Sequence, residues 1–358
     1  MRLHLARPAT ACGFHRQVSQ EGLGQRADVG VLSEVQAEVT RIQLPGQTPI
    51  TLKQRAIIMN LSRLFSVKSK GQAADPVSAP RSPFIVNSFG LSDRGQIRSS
   101  NEDCFVVAEL TRTLQVHHSN LPQSKATFSC NRGHVFLVAD GVGGSKAGEV
   151  ASGLSVRNIE EFLLNTLKRF SNLQASEEQG ILRDLQNALF QADARIFEEV
   201  TVHPEWQGMG TTLTMAFAVN WRLFVAHAGD SRCYLYSEKK LQQLTQDHTI
   251  TTEMVRRGII APQDQERHPW RHVVTNILGG TERGVQAELH SLDLHAGDLL
   301  LLCSDGLTEM VPEDQIAGIL EDDNDPQRAC ERLVGEANKR GGKDNITAIV
   351  AHIKQGEP

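Results

Sequence analysis

The sequence contains no apolar run longer than five residues. Runs of five residues occur at 135–139 and Leu299–Cys303. A helix that crosses a bilayer needs about 20 predominantly apolar residues. The sequence therefore excludes a membrane-spanning helix. The N-terminal residues MRLHLARPATACG are positively charged but lack the apolar stretch of a signal peptide, about seven residues or more, so we predict no signal peptide.

Cysteine is scarce and scattered. The six cysteines, at positions 12, 104, 130, 233, 303 and 330, form no CxxC pair. This spacing excludes a disulfide framework and a cysteine zinc site, and it fits a reducing compartment. The segment GVGGSKAG does not complete GxGxxG, and no GKS or GKT occurs, which argues against nucleotide binding by those motifs. We predict a soluble, cytoplasmic protein.

The charge is divided unevenly along the chain. Residues 1–80 contain 10 Lys and Arg against 5 Asp and Glu, whereas residues 81–358 contain 27 against 37. An acidic body argues against nucleic acid as a partner, because binding to phosphates needs clustered cations. An excess of carboxylates suits hard divalent cations, although most of them must be solvated surface groups.

The first 83 residues differ from the rest. They lack long periodic runs and end in GQAADPVSAPRSP, which is typical of a linker. We predict a disordered extension over 1–83, of which 1–58 is dispensable because Met59 would serve as a start. Residues 57–70 alternate apolar and basic side chains, so a membrane anchor is an alternative there, but we favour an unstructured tail. Residues 84–358 form the predicted domain.

Within this domain, short apolar or alternating runs predict strands near 134–140, 212–219, 222–228, 232–237, 298–305 and 345–353. Apolar residues spaced three or four apart predict helices over 147–170, 181–200 and 326–338. The strands and helices fall into separate groups along the chain, without internal repeats. This order favours an α+β fold of layers over a βαβ repeat.

Acidic residues interrupt or end the apolar strands. Asp140 follows VFLVA, Asp305 follows LLLLCS, Asp344 precedes NITAIVAHI, and Asp230 lies in the turn GDSR. A carboxylate at the end of a buried strand is unfavourable unless it is paired or bound to a cation. Any one of them alone is an ordinary turn residue. Together, with no Cys or His ligand set, they indicate magnesium or manganese bound by oxygen.

The motifs resemble those of the metal-dependent, type 2C serine/threonine protein phosphatases in their bacterial form. Seven segments occur in order over almost the whole domain: SDRGQIRSSNED (92–103), VADGVGGSKAGEVAS (138–152), GMGTTLT (208–214), AHAGDSRCYLY (226–236), LTQDHT (244–249), LLCSDGLTEMV (301–311) and GGKDNITAIV (341–350). The resemblance implies a four-layer α-β-β-α sandwich of two antiparallel sheets with a bimetal site at one end. It also implies a flap near residues 247–280, beside the site.

The resemblance assigns ligands for two tightly coupled Mn²⁺ or Mg²⁺ ions. Asp140 matches the carboxylate that bridges both ions, and the carbonyl of Gly141 matches a ligand of one of them. Asp305 and Asp344 match further ligands of one metal.

Four further positions complete the implied site. Glu102 and Asp103 match the acidic pair at the other metal, which in the family often binds through water. Asp230 matches a ligand of a third, weaker metal that Asp305 shares. Arg98 matches the arginine that binds the substrate phosphate, and a guanidinium group fits two phosphate oxygens.

These matches imply hydrolysis of phosphoserine and phosphothreonine in proteins by a metal-activated water, without a phosphoenzyme. The expected partners are a Ser/Thr kinase and its substrates, and we expect a monomer. Eukaryotic members carry a histidine after the Asp-Gly, where this chain has Val142, so the leaving-group acid stays open.

Two alternatives remain at this point. The first is a catalytically inactive binding protein of the same fold, but every expected ligand and Arg98 are present. The second is another metal-dependent phosphohydrolase, such as an enzyme like the haloacid dehalogenases. That chemistry needs a second aspartate two positions after the first, which ADGVGG lacks.

Overall fold

The computed structural model describes residues 84–112, 131–143, 145–166 and 175–356. The predicted extension over 1–83, with its segments 1–58 and 57–70, lies outside the described residues. The described chain contains six α-helices: α1 (Ser145–Thr166), α2 (Ala175–Val202), α3 (Ile250–Arg256), α4 (Asp305–Thr308), α5 (Glu313–Asp322) and α6 (Pro326–Lys339). In this part of the chain, no helix combines the length and the apolar character needed to cross a membrane.

The same residues contain twelve strands: β1 (Phe84–Asp93), β2 (Asp103–Arg112), β3 (Asn131–Val142), β4 (Gly210–Thr211), β5 (Leu213–Val219), β6 (Arg222–Ala228), β7 (Arg232–Ser237), β8 (Lys240–Gln243), β9 (Leu278–Gly279), β10 (Glu288–Asp293), β11 (Leu299–Cys303) and β12 (Ile346–Gln355). The strands form two sheets, and every pair is antiparallel.

The first sheet has the order β1-β12-β11-β7-β8. In the second sheet, β2 and β5 flank β3, and β6 and β10 follow β5. The two-residue strands β4 and β9 continue this sheet along the last residues of β3. A tight turn joins the neighbouring strands β5 and β6. Its two residues, Asn220 and Trp221, both have positive φ, as the favoured two-residue hairpin turn requires.

The apolar side chains form three layers of core. Phe136 and Val138 of the second sheet and Leu300 and Ile349 of the first belong to the cluster between the sheets. A second cluster lies between the second sheet and α1 and α2, and a third lies between the first sheet and α5 and α6. The central strands are buried on both faces, which is why their sequences are almost continuously apolar. The predicted α-β-β-α sandwich is confirmed.

Candidate active site

Four strand ends meet at one end of the sandwich. Strand β2 begins at Asp103, which lies opposite Asp140 near the end of β3. Strand β11 ends at Cys303, directly before Ser304 and Asp305, and β12 begins two residues after Asp344. Since β11 and β12 pair in the first sheet and β2 and β3 in the second, this end of the sandwich collects carboxylates from both sheets.

Asp103 connects the two sheets. Its Oδ2 accepts hydrogen bonds from Ser304 Oγ at 2.7 Å and from Thr347 Oγ1 at 2.6 Å, both in the first sheet or at its edge. Its other oxygen, Oδ1, is buried and has no hydrogen-bond partner among the described residues. Oδ1 of Asp305 is in the same situation. Buried polar atoms are rarely left without a partner, so two such oxygens in one cluster of carboxylates indicate a binding site.

Asp140 is held by its backbone. Its N–H donates to Thr212 Oγ1 at 3.0 Å, and its carbonyl accepts from Thr211 Oγ1 at 2.8 Å and from the Thr212 N–H at 2.9 Å. The Thr212 hydroxyl also lies 2.8 Å from Ser231 Oγ. These bonds fix the backbone of Asp140 and therefore the position from which its carboxylate extends. Through Thr212 and Ser231 they also connect Asp140 to the turn that contains Asp230.

Glu102 lies where the backbones of Gly141 and Gly148 pack closely against each other. A Cβ on Gly141 would lie 2.3 Å from the carbonyl oxygen of Gly148, and one on Gly148 would lie 2.2 Å from Oε2 of Glu102. The Glu102 N–H donates to Asn345 Oδ1 at 2.8 Å, and its carbonyl accepts from Ser152 Oγ at 2.7 Å. Because glycine has no side chain at these two positions, Glu102 and the Gly141 backbone can lie close together.

The clustered carboxylates repel one another. Burial, and then the charges of the surrounding carboxylates, raise the pKa of Asp140 and that of Asp305 well above the usual range. Burial raises the pKa of Asp103 to about 6, and burial together with the charge of Asp247 raises that of Asp230 to about 7. This repulsion is what bound cations would relieve.

The residues present fit divalent cations. The donor set is made of carboxylates and the Gly141 backbone, which suits hard ions such as Mg²⁺ and Mn²⁺. Two of the carboxylate oxygens are buried without a partner, and the ion pair that Arg98 forms among the described residues is with Asp344, at the rim of the cluster. Asp230 is only 8% exposed and lies in the β6–β7 turn, at the edge of the same cluster.

Arg98 lies at the rim of the cluster. Its Nη2 donates to Asp344 Oδ2 at 2.6 Å, and its side chain is 51% exposed. The loop that carries Arg98 is anchored by Asn345, whose Nδ2 donates to the carbonyls of Arg94 and Ser100, both at 2.9 Å. The structure thus places a guanidinium group beside the carboxylates, with access from solvent.

A cleft of about 1250 Å³ opens beside the site. Its lining includes Asp230 and Asp305 together with residues of the predicted flap, among them Arg271 and His272. Within the flap, a bridge joins Thr249, directly before α3, to Val274, which follows that helix in the chain. His272 Nδ1 contacts Glu309 Oε1, so the flap reaches the segment that follows Asp305.

Comparisons with known proteins decide the family. Residues 117–342 match the sequence profile described as Protein phosphatase 2C. The serine/threonine phosphatase stp of Listeria welshimeri is 34% identical over 259 residues, which is 72% of this chain and 92% of that protein. The chain belongs to the protein phosphatase 2C family. The predicted resemblance is confirmed.

Solved structures of protein phosphatase 2C relatives agree with this assignment. The catalytic domain of the phosphatase PstP, in complex with 2 manganese ions, is 29% identical with a TM-score of 0.60, and the match covers 76% of this chain and 100% of that chain. The serine/threonine phosphatase of S. agalactiae is 28% identical with a TM-score of 0.62, over 75% and 99%. The predicted enzyme class, a protein serine/threonine phosphatase, is confirmed, and neither alternative gains support.

Sequence reasoning missed the residues that hold the carboxylates in place. Ser304, Thr347 and Asn345 link the two sheets around Asp103 and Glu102, and Thr211 and Thr212 hold Asp140. All five lie inside the quoted motifs, but a hydroxyl or amide beside an aspartate is too common in loops to be singled out without the fold.

Proposed function

We propose that this protein hydrolyses phosphoserine and phosphothreonine side chains of proteins, with two divalent cations, Mn²⁺ or Mg²⁺, held at the end of the sandwich. The observation that carries the proposal is the convergence of carboxylates from both sheets with two buried oxygens, Asp103 Oδ1 and Asp305 Oδ1, that lack partners. When bound, the cations supply an activated water and neutralise the charge of the phosphoryl group.

Each carboxylate has a proposed place. Asp140, in the middle of the cluster, would hold both cations, and the Gly141 carbonyl would be a ligand of one of them. Asp305 and Asp344 bind one cation. This division is supported by geometry, because Asp305 follows β11 and Asp344 precedes β12, its neighbour in the same sheet.

The other cation belongs to Glu102 and Asp103. The contacts of Asp103 with Ser304 and Thr347 occupy Oδ2 and leave Oδ1 for a cation or its water. Asp230, in the neighbouring turn, would hold a third and weaker cation together with Asp305.

Arg98 is the proposed phosphate ligand. Its guanidinium group is half exposed and lies beside Asp344, so it can bind an oxygen of a phosphate placed against the cations. The cleft beside Asp230 and Asp305 then receives the polypeptide around the phosphorylated residue. No side chain of the chain needs to be phosphorylated in this reaction.

The wider setting follows from the same activity. The substrates are phosphoproteins made by a Ser/Thr kinase, and we propose that the enzyme acts in the cytoplasm as a monomer. Residues 1–83 are an extension to a catalytic domain that spans 84–358. The flap at 247–280 lies beside the site, and several of its residues line the cleft.

Phosphate release from a phosphothreonine peptide tests the function. We expect release with Mn²⁺ or Mg²⁺, loss of release with a chelator, and loss in Asp140→Asn at the same metal concentration. Absence of release by the wild-type protein with saturating Mn²⁺, combined with retained binding of a phosphoprotein, would instead support the inactive binding protein. A covalent phosphoenzyme detected by mass spectrometry would contradict a direct attack by water.

A further inference from the structure

His248 connects the predicted flap to the turn that carries Asp230. Its N–H donates to the carbonyl of Gly229 at 2.7 Å. Its own carbonyl accepts from the N–H of Thr275 at 2.8 Å and from Thr275 Oγ1 at 2.9 Å. His248, near the start of the flap at 247–280, is therefore bonded both to Thr275, near the end of the flap, and to Gly229, the neighbour of Asp230.

The imidazole ring adds a second bond to the same turn. The Gly229 N–H donates to His248 Nδ1 at 3.1 Å, and Asn276 Nδ2 lies 3.0 Å from the same nitrogen. Because Nδ1 accepts, its proton must be on Nε2. His248 Nε2 lies 3.2 Å from Glu288 Oε2, which is an acceptor suited to that proton. The contacts thus define both the tautomer and the orientation of the ring.

The surroundings hold the ring in that orientation. It stacks on His227 with 4.8 Å between the ring centroids, and His227 is itself completely buried. Glu288 is held by the N–H of Gln246 at 3.1 Å and by His290 Nε2 at 2.5 Å. His248 is therefore supported from its stacked face and from its Nε2 side.

The backbone conformation of Gly229 links the contact with His248 to the position of Asp230. Its φ is +122°, and a Cβ there would lie 2.5 Å from the Cβ of Thr212. No other residue type fits this conformation without strain. His248 donates to the carbonyl of Gly229 and accepts from its N–H, so both backbone polar groups of Gly229 are bonded to His248 and the backbone before Asp230 is restricted.

A metal ion held by His227, His248 and Glu288 is the competing interpretation of this group. The ring nitrogens are already used. His227 Nδ1 lies 2.9 Å from Thr214 Oγ1 and its Nε2 lies 3.2 Å from the Gln246 carbonyl oxygen. With His248 engaged by Gly229 and Glu288, the hydrogen bonds account for the group without a metal.

We propose that His248 is a positioning residue, which fixes the Gly229–Asp230 turn to the base of the flap and thereby raises the affinity of the third, weaker cation. The proposal rests on the proposed function, in which Asp230 is a ligand of that cation. The specific contact is His248 Nδ1 with the Gly229 N–H, and the contact with Glu288 serves only to orient the ring.

Two substitutions separate these contacts. In His248→Asn the amide oxygen can take the place of Nδ1 and accept from Gly229, whereas in His248→Gln the longer amide can take the place of Nε2 and bond Glu288. His290→Gln is the matched control, because His290 binds the same carboxylate without touching Gly229. Asp230→Asn, which lacks the proposed ligand, identifies the third-site step in a titration.

The measurements are hydrogen exchange of the full-length, metal-free protein and calorimetric titration with Mn²⁺. We expect His248→Gln to speed amide exchange in the peptide containing Gly229. We also expect it to lower the Mn²⁺ affinity of the third-site step, the step that Asp230→Asn removes, by about fivefold, because one hydrogen bond is lost. We expect His248→Asn and His290→Gln to match the wild-type protein in both readouts. Thermal unfolding of each variant confirms that it is folded before titration.

Equal effects of His248→Asn and His248→Gln, or equal effects of His248→Gln and His290→Gln, would overturn the proposal. So would unchanged exchange at Gly229 in His248→Gln. Failure of the proposed function looks different: the wild-type protein would bind no Mn²⁺ in a step that depends on Asp230, while exchange at Gly229 would still respond to His248.

Discussion

Arg98 Nη2 donates to Asp344 Oδ2 at 2.6 Å, so the proposed phosphate ligand and a proposed metal ligand are bonded to each other. The side chains are 51% and 30% exposed. An ion pair that is this accessible contributes only about 0–1 kcal/mol to stability. Its significance is positional, because it aligns the guanidinium group with the carboxylate cluster.

Substitution of Arg98 and Asp140 should have different consequences. Asp140→Asn removes the charge in the middle of the cluster, so metal affinity and rate should collapse together. Arg98→Ala removes a charge-assisted donor worth roughly 1.5–3 kcal/mol, so kcat/KM should fall about ten- to a hundredfold while the protein still binds metal. Steady-state kinetics and calorimetric Mn²⁺ titration measure both effects.

Arg94→Ala is the matched control for Arg98→Ala. Arg94 lies in the same loop, and its Nη1 contacts the carbonyl of Ser99 at 3.4 Å. We expect near wild-type kinetics for this control. Loss of metal binding in Arg98→Ala as severe as that in Asp140→Asn would refute the division of roles.

Asp230→Asn should stabilise the metal-free protein at pH 8. Burial raises the pKa of Asp230 to about 7, so ionisation at pH 8 destabilises the folded state. One pKa unit corresponds to about 1.4 kcal/mol, and we expect a gain of roughly 2–4 kcal/mol. The gain should shrink below pH 7, where Asp230 takes up a proton in the folded protein.

Thermal unfolding in a chelator at pH 8 and pH 6 measures this gain. Asp247→Asn is the contrasting variant, because Asp247 Oδ2 lies 2.7 Å from Arg232 Nη2 and its side chain is 15% exposed. Loss of that ion pair should lower Tm. A lower Tm in both variants would show that the charge of Asp230 is compensated without metal.

His227 should make the protein less stable in acid. It is completely buried, and burial, with the adjacent His248, lowers its pKa from 6.5 to about 4. Between these values the unfolded chain binds a proton that the folded protein does not, so stability falls as the pH falls below 6.5. The expected loss is roughly 2 kcal/mol at pH 5 relative to pH 7.5.

Denaturant unfolding of the wild-type protein and of His227→Gln across this pH range checks the expectation. The variant should show a smaller decline, since the carboxylates contribute equally to both proteins. Parallel pH dependence of the two proteins would mean that His227 is protonated in the folded state.

A protein that begins at Ser82 should fold and keep the activity of the full chain. Strand β1 begins at Phe84, which pairs with Gln355 and packs edge-on against Trp221 with 5.2 Å between the ring centroids. A protein that begins at Asn87 loses these contacts and should have a lower Tm. Chelator-sensitive phosphate release and Tm of both proteins decide this, and loss of activity in the longer one would place part of 1–83 in the site.

Sequence periodicity found the central elements and missed the peripheral ones. The predicted helix over 326–338 is α6, and the predicted strands over 222–228 and 232–237 are β6 and β7. The strands β1 and β10 were not predicted, because they are partly exposed and their side chains do not alternate cleanly. Edge strands acquire their structure from the strand that they pair with, which local sequence does not reveal.

The sequence by itself determined which side chains are available for chemistry: carboxylates at the ends of strands or in the turns between them, glycines beside three of them, and one arginine five residues before Asp103. Only the tertiary structure decided which of them meet. Asp103 contacts Ser304 and Thr347, 201 and 244 residues further along the chain. His248 similarly joins the flap to Gly229 through the fold. Such contacts depend on how two sheets pack face to face, and because that packing is a property of the whole core, no local pattern encodes it.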